Sequence, residues 1–252
     1  MTHIVTADNE GSFYCRAVSG ELNYKKGQYV CGRGCPCFVK CGGGEFICRY
    51  KEEEGEPLLF PRVEGLDQQL YKAYAFAAAA HRGQVRKGTN VPYFTHIITT
   101  MNYAMELTED REVLTAAILH DTVEDTPVTI DEIRQGFGER VAFLVEAETE
   151  NKRHDRPAAD TWEIRKQESL LRLRDMPREV KVITLADKTA NAESLVRERR
   201  LRQEVCWDKF NQKDKLKQEW YFRESANMLK ELSNTSVMEQ YLAYIDEIFV
   251  TV

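Results

Sequence analysis

The sequence lacks any long apolar run. Its longest, around Ala73 to Ala80, falls well short of the ~20 residues that a membrane-spanning helix requires. No basic start followed by an apolar stretch marks an export signal either. These absences argue against a membrane protein and predict a cytoplasmic one.

The chain also lacks a surplus of positive charge. With 35 basic and 41 acidic residues, its net charge is -6 and its pI is near 5.6. Such a chain has no overall attraction for nucleic acid or for anionic membranes. Neither is therefore expected as a direct partner, and a polyanionic ligand would require a local basic patch or a metal.

Cysteine is nearly absent beyond the first fifth of the chain, because Cys206 is the single cysteine in the remaining four fifths. The other six are Cys15, Cys31, Cys35, Cys37, Cys41 and Cys48. Disulfides are not expected in a cytoplasmic protein, so we interpret this cluster as a Zn²⁺ site that uses four of the six thiolates. The alternative is a redox-active or merely local cluster without metal, and the spacing does not choose the four ligands.

Composition divides the chain into three parts. Residues 1–50 form a Cys-rich module with short β-like runs at 13–15, 28–30 and 45–47, and residues 51–62 form an acidic linker. Residues 63–252 form a helical domain in which no convincing strand is predicted. The fold class is therefore all-α with a small, zinc-binding, β-like module at the start.

Two helix signals stand out in the helical domain. A capping box at residues 129–132 predicts a helix that ends just before Gly136. Pro177 predicts the start of a long helix through Leu201, in which apolar residues recur at helical spacing. The aromatic residues of 207–222 are predicted to pack in the core, and His81 is assigned a core or capping role.

A group of ionisable residues follows the apolar stretch 116–119: His120, Asp121, Glu124 and Asp125. Alone, a His-Asp pair is most simply a helix end with solvated acids. Beside an apolar helix, however, such groups are costly to bury unless they pair with one another or bind a metal. We therefore interpret His120 and Asp121 as ligands of a divalent cation.

His96, after Pro92-Tyr93, and Asp187, inside an apolar run, would complete a four-ligand set if the fold brings them together. Mixed nitrogen and oxygen donors suit Mn, Fe, Co, Ni or Zn better than Ca. Such an ion can acidify a bound water and neutralise charge on a phosphoryl group. The predicted reaction is hydrolysis at phosphorus.

These residues resemble a known family, the hydrolase domain of the RelA/SpoT homologues within the HD superfamily, and especially the small alarmone hydrolases. The resemblance is carried by residues 80–89, 91–93 with His96, 119–126, 137–141, and 185–188 with Asn191. It implies hydrolysis of the 3′-pyrophosphate of the guanosine nucleotides ppGpp and pppGpp, with release of GDP or GTP and pyrophosphate. No synthetase half is present in the sequence.

The resemblance also implies site roles. It places one Mn²⁺ on His96, His120, Asp121 and Asp187, and assigns Glu124 and Asp125 to orienting or deprotonating the attacking water. It places Arg86 on the guanine base and Asn191 on the nucleotide, and the place of Lys87 and Tyr93 in the motif makes them substrate-binding candidates. Lys152 is a further candidate from the basic residues of 152–166, because lysine and arginine commonly clamp phosphates.

Two departures from the family pattern bear on substrate choice. The usual His-Pro is His96-Ile97 here, and the usual Leu-Ala-Asp-Arg-Leu-His-Asn is replaced at residues 185–191 by a run with Lys188 and Ala190. The ligands are kept, but the second change alters the residues around the nucleotide pocket. The alternatives are therefore a phosphatase for another nucleotide such as NADPH, or an inactive nucleotide-binding regulator. Homo-oligomerisation stays open.

Overall fold

The computed structural model describes residues 68–150, 152–153, 156–202, 205 and 207–249, together with the backbone of five short strands before them. The chain divides into two compact units, Met1–Leu66 and Asp67–Val252.

The first unit holds the five strands, and their backbones pair into two antiparallel sheets. They are β1 (His3–Thr6), β2 (Ser12–Cys15), β3 (Gly20–Asn23), β4 (Phe38–Gly42) and β5 (Glu45–Cys48). One sheet has the order β1-β5-β4, and β2 pairs with β3. The β-like runs at 13–15 and 45–47 lie in β2 and β5, whereas the run at 28–30, the linker at 51–62 and all six cysteine side chains lie outside the described residues.

The second unit is helical. Its helices are α1 (Gln68–Ala80), α2 (Phe94–Leu107), α3 (Arg111–Leu119), α4 (Thr122–Asp125), α5 (Ile130–Phe137), α6 (Glu139–Glu148), α7 (Ala158–Arg174), α8 (Arg178–Arg202), α9 (Lys215–Met228) and α10 (Ser236–Phe249). Two single 3-10 turns lie at Trp207–Lys209 and Lys230–Leu232. Among the described residues of this unit, β structure is limited to one isolated bridge between Val85 and Pro92.

Helix α8 is the central element, and it contacts α2, α3, α6 and α10. It begins directly after Pro177, whose missing N–H costs nothing in the first turn of a helix. The residues that recur at helical spacing, Val180, Ile183, Ala186 and Ala190, are all buried. The predicted long helix is confirmed, and its apolar face organises the core on which the site is built.

The predicted end of α5 before Gly136 is wrong. The capping box is present, because the Thr129 hydroxyl accepts from the backbone of Glu132 while the Glu132 carboxylate accepts from the backbone of Thr129. The helix, however, continues through Gly136 and ends at Phe137, and the next residue, Gly138, has a left-handed φ of 95°. Within the described part of the chain, no helix is long and apolar enough to cross a membrane.

Candidate functional site

The His120-Asp121 pair lies where α3 ends and the short α4 begins. Asp110 caps the start of α3 by accepting from the backbone N–H groups of Glu112 and Val113, at 3.0 and 3.3 Å. Every residue from Val113 to Leu119 is buried, so the helix is fixed in the core up to its last turn. The His120 ring then points back, with Nδ1 2.9 Å from the carbonyl oxygen of Ala117. Because a carbonyl oxygen only accepts, Nδ1 carries a proton, and Nε2 is the ring nitrogen that faces the neighbouring carboxylates.

His96 from α2 and Asp187 from α8 meet this corner. Nε2 of His96 lies 3.1 Å from Oδ1 of Asp187, and Nε2 of His120 lies 3.6 Å from the same oxygen. Oδ2 of Asp121 lies 2.9 Å from Nε2 of His120 and 3.4 Å from Nε2 of His96. The fold therefore brings together all four side chains that the sequence assigns to a metal.

The donor atoms of this cluster fit a divalent cation. One donor atom each from His96, His120 and Asp187 lies within 4.8 Å of the other two, and Asp121 adds a carboxylate oxygen beside both rings. Both Nε2 atoms are buried, and neither has a hydrogen-bond partner within the described residues. Buried ring nitrogens are rarely left without a partner, and convergence of two imidazoles and two carboxylates is the donor set of a transition-metal site.

For His120, Asp121 and Asp187, neighbouring charges oppose the effect of burial on the pKa. Burial alone would raise the pKa of Asp121 and Asp187, but His120 beside Asp121 and Lys188 beside Asp187 hold both pKa values well below the usual range. Burial likewise lowers the pKa of His120, while the charges of the two aspartates outweigh it and raise that pKa. The aspartates therefore stay ionised, as ligands of a cation must be.

Glu124 and Asp125 lie on α4 beside this cluster and line the same pocket. The Tyr93 hydroxyl lies 2.6 Å from Oδ2 of Asp121 and 3.0 Å from Oδ2 of Asp125, so it links the two acids. The Lys152 ammonium donates to the Glu124 carbonyl at 2.9 Å and forms an ion pair with Asp125. Burial, followed by the charge of Asp121, raises the pKa of Glu124.

Arg86 and Asn191 form a second connection to the cluster. The Asn191 amide donates to Oδ1 of Asp187 at 2.7 Å, and the Arg86 guanidinium donates to the Asn191 oxygen at 2.7 Å. Arg86 reaches this point from a tight loop that turns at Gly88, where φ is +72°. Lys87, in the same loop, is exposed and does not line the pocket.

His81 supports the site from behind. Its buried ring stacks on Tyr93 with centroids 4.8 Å apart, and Nδ1 lies 2.8 Å from Oε1 of Gln84. The structure therefore gives His81 a packing role beneath a site residue, in agreement with the predicted core role.

A pocket of about 190 Å³ opens onto the cluster. Of the predicted substrate contacts, Tyr93 and Asn191 line it, whereas Arg86, Lys87 and Lys152 do not. Lys166, one of the basic residues of 152–166 that were considered for phosphate binding, also lines it, together with residues that the sequence did not single out: Glu148, Glu150, Lys188 and Tyr221. Tyr221 is buried as predicted for the aromatic residues of this region, but it also faces the pocket. These residues come from four helices and from the loop after α6, and only tertiary packing brings them to one pocket.

Glu148 is the unusual acid of this pocket. Its Oε1 lies 2.6 Å from the Thr184 hydroxyl, which also lies 3.0 Å from the carbonyl oxygen of Val180. One hydroxyl proton cannot fully serve both acceptors, so a proton on Glu148 would complete the chain. Consistent with this, burial raises the pKa of Glu148 to about 7 from the usual 4.5.

This shift has a consequence for stability. Between pH 4.5 and 7 the unfolded chain releases the Glu148 proton while the folded protein keeps it, so the free energy of unfolding falls as pH rises through that range. Replacement by glutamine removes the effect. With a chelator present, we compare the free energy of unfolding of Glu148→Gln with that of the parent at pH 5 and at pH 8. On going from pH 5 to pH 8, we expect this difference to change by up to about 3 kcal/mol in favour of Glu148→Gln.

Urea unfolding at the two pH values measures this gain, since groups that titrate in both proteins cancel in the difference. Glu146→Gln, an exposed position on the same helix, is the matched control and should show no such gain. Equal pH dependence of the Glu148→Gln protein and the parent would show that Glu148 is ionised in the folded state.

The chain is similar to known proteins, and the family match covers the residues that build this site. The family model described as HD domain matches residues 73–211. The chain is similar to guanosine-3′,5′-bis(diphosphate) 3′-pyrophosphohydrolase of Aquifex aeolicus, 44% identical over 100 residues, which are 39% of this chain and 14% of the relative. It is also similar to the bifunctional (p)ppGpp synthase/hydrolase SpoT of Escherichia coli K12, 37% identical over 133 residues, or 51% of this chain and 18% of that protein.

The chain thus spans less than a fifth of the length of these relatives. Among solved structures, a metazoan ortholog of SpoT aligns with a TM-score of 0.54 at 24% identity, covering 72% of this chain and 95% of that one, a likeness of fold. Since the family match takes in more than half of the residues, the chain belongs to the HD domain family.

Proposed function

We propose that the helical unit hydrolyses the 3′-pyrophosphate of guanosine alarmones, converting ppGpp or pppGpp to GDP or GTP and pyrophosphate. The observation that carries this proposal is the convergence of two buried imidazole nitrogens, neither hydrogen-bonded within the described residues, and two carboxylates at one end of a pocket. The named activities of the relatives from Aquifex and E. coli supply the substrate class.

HD domains depend on a bound metal, and the site offers a His-His-Asp group for one. In our proposal His96, His120, Asp121 and Asp187 hold one Mn²⁺. When bound, such an ion supplies charge neutralisation at the phosphoryl group and acidifies water. Asn191 and Lys188 each donate to one oxygen of Asp187, at 2.7 and 2.8 Å, and so fix the orientation of that carboxylate.

Glu124 and Asp125 take the role of proton acceptors for the attacking water. Burial and the charge of Asp121 move the pKa of Glu124 upward, which suits a base working near neutral pH. Tyr93, whose own pKa is raised by burial and by the two aspartates, stays protonated and keeps Asp121 and Asp125 in register. The Lys152 ammonium pairs with Glu124 and Asp125 and balances part of their negative charge. In our proposal it also contacts a phosphate of the substrate.

Arg86, Lys87 and Asn191 take the nucleoside side. The Arg86 guanidinium lies over the Tyr93 ring, 5.4 Å from its centre, and donates to the Asn191 side-chain oxygen, so these two contacts fix its position. A guanidinium held in this way can stack on a purine base. Lys87, exposed beside it, is placed in our proposal to meet the 5′-phosphates.

We also propose that the Cys-rich start binds Zn²⁺ through four of Cys15, Cys31, Cys35, Cys37, Cys41 and Cys48. The support is the density of thiols in a segment too short to build a large core. Elemental analysis of the full chain tests both metals at once, because the two proposals together require one transition metal in the helical unit and Zn²⁺ in addition.

Steady-state assays test the main proposal. We expect turnover of ppGpp and pppGpp with Mn²⁺, release of pyrophosphate rather than phosphate, and loss of activity on chelation. NADPH is included as the competing substrate. Turnover of NADPH alone would replace the alarmone by another nucleotide, and failure on all three would remove both assignments.

A further inference from the structure

Two ammonium groups meet over one aromatic ring at the pocket wall. The Nζ atom of Lys166 lies 4.9 Å from the centre of the Tyr221 ring, and that of Lys188 lies 5.7 Å from it. All three side chains line the pocket that opens on the cluster of candidate metal ligands. Two positive charges that contact the same ring repel each other, so their placement favours negative partners.

The protein supplies only part of that negative charge. Lys166 lies 3.1 Å from Glu150, but Glu150 also forms a buried ion pair with Arg165. Lys188 lies 2.8 Å from Asp187, whose charge a bound cation would share. The acids here that are not candidate ligands are Glu150 and Glu148, and burial raises the pKa of Glu148 to about 7, so three basic side chains face one fully ionised carboxylate and one that is partly protonated near neutral pH. The acidic side chains of the pocket lie mainly around the candidate ligands, whereas the positive charge is concentrated beside Tyr221, where it favours an anionic group.

The geometry also selects among the basic residues of 152–166. Arg165 is buried in its ion pair with Glu150, and Arg153 pairs with Glu168. Lys166 keeps 21% of its side chain exposed, and the pocket is where it is exposed. A partly desolvated ammonium that can still reach a ligand binds phosphate more strongly than a fully solvated one.

The position relative to the nucleoside side completes the argument. Arg86 lies in the loop before α2 and donates to Asn191 on α8. Lys166 lies on a different helix, α7, and takes no part in this contact. Lys166 and Tyr221 line the same pocket as Asn191 but lie on other helices, α7 and α9. A substrate whose reacting phosphorus lies at the cluster and whose base lies at Arg86 would extend its outer 3′-phosphate along this wall.

We propose that Lys166, with Lys188 and the Tyr221 ring beside it, forms a subsite for the outer phosphate of the 3′-diphosphate. The subsite makes the enzyme select a diphosphate over a monophosphate at that position and holds the pyrophosphate that leaves. This inference rests on the proposed alarmone hydrolysis and names the residue that contacts the outer phosphate of the pyrophosphoryl group as that group is transferred from the ribose 3′-oxygen to water.

The test compares two substrates, ppGpp and guanosine 5′-diphosphate 3′-monophosphate, in the Mn²⁺-loaded full chain. Lys166→Met keeps the aliphatic stem over Tyr221 and removes the charge. We expect kcat/KM for ppGpp to fall about ten- to a hundredfold, the worth of one charge-assisted hydrogen bond, while the value for the monophosphate changes less than about threefold. Lys213→Met, at an exposed lysine outside the pocket, is the matched control and should alter neither.

Equal loss on both substrates, or no loss on either, would overturn the subsite. Lys166→Arg should recover most of the discrimination, which a mere packing role would not require. If the parent turned over neither substrate, the alarmone proposal would fail, yet the subsite would still be testable. Calorimetry with inorganic pyrophosphate should then show at least tenfold weaker binding by Lys166→Met, and unchanged binding would reject it.

Discussion

Replacing Asp187 by alanine is expected to strip the helical unit of its transition metal and to lower kcat/KM for ppGpp by on the order of 10³. Asp187 supplies the carboxylate oxygen that lies 3.1 and 3.6 Å from the two imidazole nitrogens. Without it three of the four candidate ligands remain, and the donor set loses one of its two carboxylates. The loss corresponds to several kcal/mol of charge stabilisation, at about 1.4 kcal/mol for each factor of ten.

The alanine variant also leaves Lys188 without its 2.8 Å partner, so a folding defect must be separated from metal loss. Asp187→Asn does this, because the amide oxygen can still accept from Asn191 while the ligand charge is gone. We expect Asp187→Asn to melt within a few degrees of the parent and yet to hold no metal in the helical unit. Asp208→Ala, at an exposed aspartate, is the control. Full metal content with full turnover in Asp187→Asn would remove the cluster as the reaction centre.

Much of this centre was predictable because its residues mark local structure. The His-Asp pair stands at the end of a wholly apolar stretch, and Asp187 stands inside another, so both had to be near a core. The long helix after Pro177 followed from its spacing. The roles of these residues stay predictions, but the fold places their side chains within reach of one another.

The error at Gly136 shows why helix ends are harder. A glycine inside a helix costs about 1 kcal/mol relative to alanine, which favours ending the helix there. One residue later, Phe137 is buried and packs edge-on against Phe76 at 5.5 Å. Burying a phenylalanine side chain is worth about 1.5 to 3 kcal/mol, so the tertiary contact outweighs the local preference.

The grouping of Lys166, Lys188 and Tyr221 in one pocket was not predictable, for a different reason. Lys166, Lys188 and Tyr221 lie on α7, α8 and α9, and only tertiary packing brings them to one pocket. Glu148 likewise sits among acids at 146, 148 and 150, and the sequence does not tell which of them faces inward. A helix period places a residue on a face, but the element opposite that face decides its chemistry.

The acidic pair on α4 gives the second large effect. Glu124→Gln is expected to keep the metal and to lose about 10²-fold in turnover, since the amide can replace the shape of the carboxylate but cannot accept a proton. Oε2 of Glu124 accepts from the backbone N–H of Glu150 at 3.0 Å, so the side chain is oriented in the folded protein. Asp125→Asn should lose a similar factor, but it also disturbs Tyr93 and Lys152, which both contact that carboxylate.

The pH profile separates proton transfer from positioning. A base acts only when ionised, so kcat/KM of the parent should rise with pH through the pKa of Glu124, which burial and Asp121 raise. In Glu124→Gln that rising limb should disappear while the metal content stays at the parent level. Glu146→Gln, exposed on α6, should keep both the limb and the rate. Loss of metal in Glu124→Gln would instead show that Glu124 helps to hold the cation. The attacking water would then need another proton acceptor in the pocket. Asp125 is the first candidate, and Glu148, with its pKa of about 7, is the second.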